Sequence, residues 1–466
     1  MHDVTKIRAA LDDMTGSVAK TAIEGLFDAG TFIETSAFTK RGISDYLATE
    51  KANEMEGVIT GYGAIDGKLV FAFVEDSSRM GGFIDDRHAK KITDLYKLAI
   101  SNGAPVIGVF DSNGIDIFEG TASLSAYGKI MAAVNQASGV IPQIAYVAGK
   151  CIGTCATISA MFDFVVKSNG AELYVSSPTL THAENAQNDI LAFTGEAKEC
   201  LKTIKDLISF LPDNSASGVE VINTNDNLNR PLGDVDFAGD ALAAISVISD
   251  NNVYIEIGHD TAPAVATALA VVGGVKCGIV ASSFANNEGK LCSVSARKIA
   301  RFVNFCDSFS IPVVTLVDSL GVAIDKNNEP GFAPELAKLA FAYASSTCPK
   351  VTVITGHAIG AAFVLLGSKS LGADLVYAVD TAEIGALNAD SGVAFAWDKY
   401  ITEEKTRNQL IEEWRDSVSS PVVAAASGEI DNIISVNELR ARICSALLML
   451  SAKGFSSFAS RKVLPL

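Results

Sequence analysis

The sequence predicts an α/β protein of two tandem lobes, each built on a largely parallel sheet. The first observation is an internal repeat at a constant spacing of 207 residues, as from Asp111 to Asp318. The second is the alternation of short apolar runs with segments of helical periodicity in both halves. The third is a polar stretch at 211–234, rich in Asn, Gly and Pro, which is typical of a linker. We therefore expect two lobes of one fold, at residues 1–212 and 213–466.

The repeat includes the points where apolar strands end and helices begin. Ala104-Pro105-Val106-Ile107 returns as Ile311-Pro312-Val313-Val314, and Gly149-Lys150-Cys151-Ile152-Gly153 returns as Gly356-His357-Ala358-Ile359-Gly360. An enzyme with two related binding sites would arise naturally from such a duplication. A binding scaffold made of paired domains is the alternative that the repeat leaves open.

The elements of the first lobe can be placed in order along the chain. Residues 1–50 have the pattern of two amphipathic helices separated by Gly30, and residues 57–74 have that of a β-hairpin with its turn at Asp66-Gly67. Helix, strand, helix, strand and helix are then expected at 90–101, at 106–110, from 123, at 141–147 and at 154–161. The second lobe repeats this order from about residue 238, and a helical tail is expected at 403–453.

Composition argues against two classes of partner. A net charge of −17 is unfavourable for nucleic acid, because phosphate neutralisation needs a basic surface. The most apolar stretch, 262–275, is shorter than the roughly 18 residues that a membrane span requires, and the first residues lack a basic-then-apolar signal pattern. We therefore expect a cytoplasmic chain that does not itself span a membrane.

No set of side chains has the spacing of a metal site or a catalytic triad. Eight cysteines include no CxxC pair, and five histidines are scattered. His88 precedes a predicted helix, where it could contact substrate or serve equally well as a surface or capping residue. Lys90 and Lys91, with the equivalent Arg297 and Lys298, could hold a phosphate, although a solvated helix face is the ordinary interpretation.

The repeated glycine turns are the features that suggest chemistry. In each half a buried strand ends in glycine, and a second glycine precedes a helix four residues later, at Gly149 and Gly153 and again at Gly356 and Gly360. The first N–H groups of a helix lack internal acceptors, and two adjacent ones can stabilise an enolate oxygen. A packing role for the glycines is the other interpretation of this pattern.

Several segments resemble the β-type carboxyltransferase subunits of biotin-dependent acyl-CoA carboxylases and decarboxylases, such as propionyl-CoA carboxylase. The resemblance runs in order along nearly the whole chain. Its segments include His88-Ala89-Lys90-Lys91-Ile92, Ser138-Gly139-Val140-Ile141-Pro142-Gln143-Ile144, Ala300-Arg301-Phe302-Val303-Asn304-Phe305-Cys306-Asp307, Pro349-Lys350-Val351-Thr352-Val353-Ile354-Thr355 and Arg440-Ala441-Arg442-Ile443-Cys444.

The resemblance implies two crotonase-like lobes with ββα superhelical layering and a hexamer whose active sites lie between lobes of different subunits. The first lobe would bind an acyl-CoA thioester, with the N–H groups of Gly153 and Thr154 facing its oxygen. The second would bind carboxybiotin, with those of Ala361 and Ala362 facing the ureido oxygen. Further substrate contacts are expected at His88, Lys91, Gly114 and Gly149 in the first lobe, and at Gly321, Gly360 and Val364 in the second.

The chain departs from the family's pattern at some of these positions. Gly153-Thr154 and Gly360-Ala361 stand where the family usually has Gly-Gly. Asp116 stands where the relatives carry Arg, so we expect it to repel the phosphates of CoA. The family's Gly-Gly-Ala-x-Thr-His segment is missing after Tyr174, and its Pro-Gly-Phe is absent after Asp318.

The sequence therefore predicts a carboxyltransferase subunit that moves a carboxyl group between carboxybiotin and a short-chain acyl-CoA of the propionyl-CoA or methylmalonyl-CoA type. Because the chain has no Met-Lys-Met biotinylation motif and no ATP-binding glycine loop, biotin would sit on a separate carrier protein. A biotin carboxylase or a decarboxylase subunit would be a further partner. Two alternatives stay open, a decarboxylase in a membrane-coupled complex and a non-catalytic assembly partner.

Overall fold

The structure is a computed structural model that describes residues 17–40, 55–181, 188–232, 240–326, 328–403 and 405–453. The main division of the chain into two compact units falls between Ser217 and Gly218. We call these units the first and the second lobe. No helix in the described ranges is long and apolar enough to cross a membrane.

The first lobe is a twisted sheet with helices packed against it. Its helices are α1 (Val18–Leu26), α2 (Asp86–Asn102), α3 (Thr121–Ala137), α4 (Thr154–Ala160), α5 (Pro178–Thr181) and α6 (Ala197–Phe210). Its strands are β1 (Ile33–Thr35), β2 (Val58–Ile65), β3 (Lys68–Glu75), β4 (Val106–Ser112), β5 (Gln143–Ile152), β6 (Phe164–Ser168), β7 (Glu172–Tyr174) and β8 (Leu191–Gly195). The sheet order is β1-β2-β3-β4-β5-β6-β8, with β7 beside the end of β5.

The second lobe has the same architecture. Its helices are α7 (Ala241–Ile248), α8 (Ser293–Ser308), α9 (Phe332–Ser345), α10 (Ala361–Leu365), α11 (Ala389–Gly392), α12 (Arg407–Ser417), α13 (Pro421–Ala426) and α14 (Leu439–Leu450). Its strands are β9 (Tyr254–Ile257), β10 (Val265–Val272), β11 (Val275–Ser282), β12 (Val313–Ser319), β13 (Lys350–Ile359), β14 (Leu375–Val379), β15 (Glu383–Gly385) and β16 (Asn432–Ile434). The sheet order is β16-β14-β13-β12-β11-β10-β9, with β15 beside the end of β13.

The predicted α/β class with two tandem sheet-containing lobes is confirmed. In both sheets the strands from β3 or β11 onwards pair in parallel, and the preceding hairpin is antiparallel. The hairpin turn forms at Asp66 and Gly67, whose φ values of 48° and 77° match the left-handed turn that this dipeptide favours. The apolar runs become buried strands, and Phe73 and Phe110 of neighbouring strands pack edge-to-face with each other and with Phe162 in the core.

Two predicted helical regions differ from the structure. Beyond α1, the described part of the N-terminal arm forms β1 and no second helix; residues 41–54 lie outside the described ranges. Phe32 and Ile33 pack against Gly61, where a Cβ would lie 2.5 Å from the carbonyl oxygen of Ile33. The predicted C-terminal helical tail is interrupted by β16, because Ile433 and its neighbours pair with the edge of the sheet at β14. In both places pairing with a strand that is distant in sequence outweighs the local preference for a helix.

Candidate active site in each lobe

The same glycine turn follows the central strand of each lobe. Gly153, after β5, has φ 62° and ψ −127°, and Gly360, after β13, has φ 56° and ψ −128°. Residues with a side chain rarely adopt this conformation. A Cβ at Gly153 would meet no atom within 4 Å, so the backbone angles, and not a lack of space, require glycine there. The backbone therefore has the same conformation at this glycine in both lobes, and a helix begins at the next residue, Thr154 or Ala361.

The backbone donors of these turns differ from those expected in the first lobe. The N–H of Gly153 donates to the carbonyl of Tyr174 at 2.9 Å, so it is not free to bind a thioester oxygen. The N–H groups of Thr154 and Cys155, the first two residues of α4, have no acceptor within the helix. This hydrogen bond argues against Gly153 as a member of the predicted donor pair, and it leaves Thr154 and Cys155 as the candidate donors.

In the second lobe the two predicted donors begin the helix that follows the turn. The N–H of Gly360 donates to the carbonyl of Gly385 at 2.8 Å, and Ala361 and Ala362 are the first two residues of α10. Ala361 and Ala362 lie 207 residues after Thr154 and Cys155. The register of the repeat therefore already contained the signal for Cys155, which the sequence analysis missed.

A buried aspartate supports the strand that leads into each turn. The Oδ1 atom of Asp111 accepts the N–H of Lys150 at 3.1 Å, and Oδ1 of Asp318 accepts the N–H of His357 at 2.8 Å. A Cβ at Gly149 would lie 2.0 Å from Oδ1 of Asp111. Gly149 was predicted to contact substrate, but in the structure its missing side chain makes room for this carboxylate.

The Asp-Ser-x-Gly turns also have one geometry in both lobes. Gly114 and Gly321 have φ values of 101° and 106°. The N–H of Gly114 donates to Oγ of Ser112 at 3.0 Å, and the N–H of Gly321 donates to Oγ of Ser319 at 3.3 Å. Both glycines lie beyond the carboxyl ends of β4 and β12, the edge of a parallel sheet at which ligands usually bind. Val364, also predicted to contact substrate, is a partly exposed residue of α10.

His88 and Lys91, both predicted to contact substrate, lie inside the first lobe. The imidazole of His88 is fully buried, with Nδ1 3.6 Å from Oε1 of Glu56 and Nε2 3.7 Å from Oε1 of Glu75. These distances exceed hydrogen-bond lengths, so the contacts are ion pairs. Lys91 is also buried, and its Nζ donates to the carbonyl of Val58 at 2.5 Å. Neither side chain is accessible to a ligand, so we do not include them in the proposed site.

The predicted phosphate site on the basic helix turns is not supported either. Nζ of Lys298, the equivalent of Lys91, donates to the carbonyls of Gly258, Thr261 and Val265 at 2.8 Å each. Burial lowers the pKa of Lys298 to about 8. Both lysines thus bind the carbonyl of the first residue of a sheet strand, and their role is structural.

Asp116 also differs from its expected role. Its side chain is only 3% exposed, and its Oδ1 accepts the N–H of Phe118 at 2.9 Å, which caps a short 3₁₀ turn. A carboxylate engaged in this way faces the protein. The structure therefore gives no support to the expected repulsion between Asp116 and the phosphates of CoA.

The charge of His88 leads to a prediction about how the free energy of unfolding depends on pH. Burial alone would lower its pKa, but the carboxylates of Glu56 and Glu75 outweigh burial and raise it to about 9, against the usual 6.5. A raised folded-state pKa contributes stability that is complete below pH 6.5 and is lost as the pH rises through 9. We expect the wild type to lose about 3 kcal/mol more than His88→Gln between these limits. Chemical unfolding of both proteins at pH 6 and pH 9 measures the difference, and parallel pH profiles would contradict it.

The two cysteine thiols at the first-lobe turn are not reactive groups. Burial raises the pKa of the thiols of Cys151 and Cys155 well above the usual value, so neither is a reactive thiolate. In the ranges that the structure describes, no group of three or more His, Cys, Asp or Glu residues is arranged to hold a metal ion. What the turns offer chemically is pairs of backbone N–H groups, a type of donor that can stabilise a negatively charged oxygen.

Comparisons with known proteins place this geometry in a family. The carboxyl transferase domain family matches residues 14–195 and 186–463. The chain is 32% identical over 462 residues to the methylmalonyl-CoA decarboxylase subunit alpha of Veillonella parvula, covering 93% of this chain and 90% of the relative. It is 33% identical over 464 residues to the methylmalonyl-CoA carboxyltransferase 12S subunit of Propionibacterium freudenreichii subsp. shermanii, covering 93% and 88%.

A solved structure agrees with these relatives. The transcarboxylase 12S crystal structure, a hexamer with methylmalonyl-coenzyme A and methylmalonic acid bound, superposes with a TM-score of 0.88 at 33% identity, covering 95% of this chain and 91% of that one. The likeness therefore extends over both lobes and both turns. The chain belongs to the carboxyl transferase family, as an enzyme whose two crotonase-like lobes carry the same glycine turn.

Proposed function

We propose that this chain transfers a carboxyl group between biotin, held on a separate carrier protein, and a short-chain acyl-CoA of the propionyl-CoA or methylmalonyl-CoA type. The observation that carries the proposal is the duplicated turn, with Gly153 and Gly360 matching within 6° in both backbone angles. Each turn begins a helix with two N–H groups that have no intrahelical acceptor. A reaction with two carbonyl oxygens that become negative, one on each partner, would use two such turns.

Each lobe would use its turn for a different half of the reaction. In the first lobe, the N–H groups of Thr154 and Cys155 would bind the thioester oxygen and stabilise the enolate that forms when the α-proton leaves. In the second, those of Ala361 and Ala362 would bind the ureido oxygen of biotin, and these small residues leave room for a ring beside the backbone. When bound, biotin supplies the carboxyl group and, after its loss, the base for the α-proton. With that role assigned to biotin, the first lobe would not need to supply the base itself.

The relatives support the choice of acyl group. They include methylmalonyl-CoA carboxyltransferase and the propionyl-CoA carboxylase beta chain of Cereibacter sphaeroides, which is 33% identical over 470 residues, covering 93% of this chain and 91% of the relative. Thr154 adds bulk beside the thioester where the family usually has glycine. We therefore expect a preference for short acyl chains.

Decarboxylation is the second candidate function. The alpha subunits of methylmalonyl-CoA decarboxylase from Veillonella parvula and Propionigenium modestum are 32% and 34% identical to this chain. The transfer at the two turns is the same in either direction. The partner that regenerates biotin, a biotin carboxylase or a decarboxylase subunit, would therefore decide which direction prevails. A cytoplasmic location suits this role, because all eight cysteines are free, as is usual in a reducing compartment.

The experiment that tests the proposal combines binding with transfer. Calorimetry should detect micromolar binding of propionyl-CoA and methylmalonyl-CoA to the purified chain. Incubation with methylmalonyl-CoA and d-biotin should then produce propionyl-CoA. Absence of both binding and transfer would favour the third possibility, an assembly partner without activity of its own.

We also infer that the chain assembles as a hexamer, with active sites shared between lobes of different subunits. Large apolar side chains are exposed in each lobe, such as Phe118 and Leu124 in the first and Phe341 and Phe395 in the second, and such residues often mark subunit interfaces. Light scattering at micromolar concentration should give six times the 48.8 kDa of one chain. A purely monomeric protein that still transferred carboxyl groups would contradict the shared site.

A further inference from the structure

A histidine close to the turn of the second lobe is held in one orientation by a buried carboxylate. Nδ1 of His357 lies 2.8 Å from Oδ1 of Asp318, and Asp318 is fully buried. The ring of Phe284 stacks on the imidazole, with 4.7 Å between centroids and 23° between planes. Because a carboxylate only accepts hydrogen bonds, Nδ1 carries the proton of this contact.

The other ring nitrogen is available to a ligand. Nε2 of His357 has no hydrogen-bond partner among the described residues, and 31% of the side chain is exposed. His357 belongs to β13 and precedes Gly360 by three residues, so at most about 10 Å of extended chain separates it from the turn. The imidazole therefore lies near the carboxyl-terminal end of β13, which is followed by the N–H groups of Ala361 and Ala362.

The first lobe lacks this arrangement, although it retains the aspartate. Oδ2 of Asp111 accepts the hydroxyl of Ser77 at 2.6 Å, and Nζ of Lys150 donates to Asn113 at 3.0 Å. At the equivalent positions, 207 residues later, Ser77 is replaced by Phe284 and Lys150 by His357. Both neighbours of the aspartate have thus changed together. In the second lobe Oδ1 of the aspartate, which also accepts a backbone N–H, orients an imidazole, whereas in the first lobe Oδ2 binds the hydroxyl of Ser77.

The charged groups around His357 favour an imidazolium. The hydrogen bond to Asp318 raises the pKa of His357 above its usual value, and burial opposes this. Glu383, paired in register with His357 on the neighbouring strand β15, raises the pKa further, whereas Arg415 of α12 lowers it. Arg415 is itself paired with Glu383 at 3.4 Å, which reduces its effect on the imidazole.

We propose that His357 is a catalytic residue of the second lobe, where its imidazolium donates Nε2–H to the carboxylated ureido group of biotin, and that Asp318 positions it. This inference rests on the proposed function, which assigns biotin to the second lobe. A full positive charge strengthens hydrogen bonding to an anionic oxygen beyond what the neutral N–H groups of Ala361 and Ala362 provide. The proton stays on the imidazole throughout, so the contact consumes no acid or base.

The test compares His357→Gln and Asp318→Asn with a matched control. His259 lies in the same lobe, is exposed and pairs with Glu256 at 3.0 Å, so His259→Gln removes a histidine–carboxylate pair away from the turn. Transfer from methylmalonyl-CoA to d-biotin is measured from pH 6 to 9, together with methylmalonyl-CoA binding by calorimetry. Hydrogen exchange at the imidazole C2 position, followed by mass spectrometry, measures the pKa of each histidine without relying on activity.

We expect the wild-type rate to fall as the pH rises through the pKa of His357. His357→Gln should lower kcat about 10-fold at neutral pH, the effect of losing one charged hydrogen bond, and should flatten the pH profile. Asp318→Asn should lower the pKa of His357 and move the fall in rate to lower pH. Binding of methylmalonyl-CoA should stay unchanged in all variants, and His259→Gln should match the wild type.

A wild-type rate and pH profile in His357→Gln would overturn the inference while leaving the proposed function intact, because transfer would still occur. An unshifted pKa of His357 in Asp318→Asn would overturn the positioning role. Failure of the wild type both to bind methylmalonyl-CoA and to carboxylate d-biotin would instead reject the proposed function, and the inference with it.

Discussion

Replacing Thr154 by proline is expected to lower carboxyl transfer by about 100-fold or more, the usual effect of losing one oxyanion donor. Thr154 is the first residue of α4, where the N–H has no intrahelical acceptor. Proline lacks this N–H, but its fixed φ suits the first position of a helix. The substitution thus removes a donor from the turn while the path of the chain stays the same.

The equivalent change in the second lobe separates the two half-reactions. Ala361→Pro should lower transfer to d-biotin by a similar factor while calorimetry with propionyl-CoA gives wild-type affinity. Thr154→Pro should instead affect the enolisation of the acyl-CoA, which exchange of its α-proton with solvent deuterium measures. Equal loss of acyl-CoA binding in both variants would contradict the division of labour between the lobes.

The first lobe offers a matched control for the proline substitution. Thr121 is the first residue of α3 and follows Gly120, whose φ of 59° and ψ of −125° nearly equal those of Gly153. Thr121→Pro therefore reproduces the same chemical change in the same backbone setting, away from the proposed donors. It should retain wild-type transfer. An equal loss in Thr121→Pro would show that proline after such a glycine distorts the lobe.

Replacing Arg440 by methionine is expected to lower the free energy of unfolding of the second lobe by about 3–5 kcal/mol, the typical effect of removing one partner from a buried ion pair. The guanidinium is fully buried. Its Nη2 lies 2.6 Å from Oδ1 of Asp250 and 3.1 Å from Oδ2 of Asp226. Without the cation, Asp250 would remain buried with only the N–H groups of Gly273 and Gly274 as partners.

The same helix provides the control for Arg440. Arg442, also in α14, is about half exposed and pairs with Glu438 at 3.2 Å, so Arg442→Met should cost less than about 1 kcal/mol. Both tryptophans of the chain, Trp397 and Trp414, belong to the second lobe. Their fluorescence during urea unfolding at fixed protein concentration therefore reports this lobe. Equal shifts in the two variants would show that the buried network contributes little.

Sequence reasoning located the turns but did not anticipate that the N–H of Gly153 is already hydrogen-bonded. The spacing of Gly149 and Gly153 identified the turn, because a strand followed by glycine and a helix is a local pattern. It did not reveal that the N–H of Gly153 pairs with Tyr174, since β7 reaches the end of β5 from 21 residues further along the chain. Applying the repeat register to Ala362 would have added Cys155 as a candidate donor.

Charged side chains near the turns were interpreted least accurately. His88, Lys91 and Asp116 were expected to face a ligand, yet all three lie inside the lobe. Polar residues on a helix or in a loop are usually exposed, and the sequence shows no partner beside them. The partners of His88 are Glu56 and Glu75, and that of Lys91 is the carbonyl of Val58, all of which come from other segments of the chain.

The sequence by itself determined the two-lobed α/β fold, the family and the positions of both turns, because strand periodicity, glycine spacing and the repeat are properties of neighbouring residues. Only the tertiary structure decided which N–H groups remain free and which charges are buried. It also brought His357 against Asp318, 39 residues earlier in the chain. The physical reason is that a buried hydrogen-bond donor or charge pairs with whichever group the fold places beside it. Neighbouring parallel strands come from distant segments of the chain, so the sequence around a residue does not show its partner.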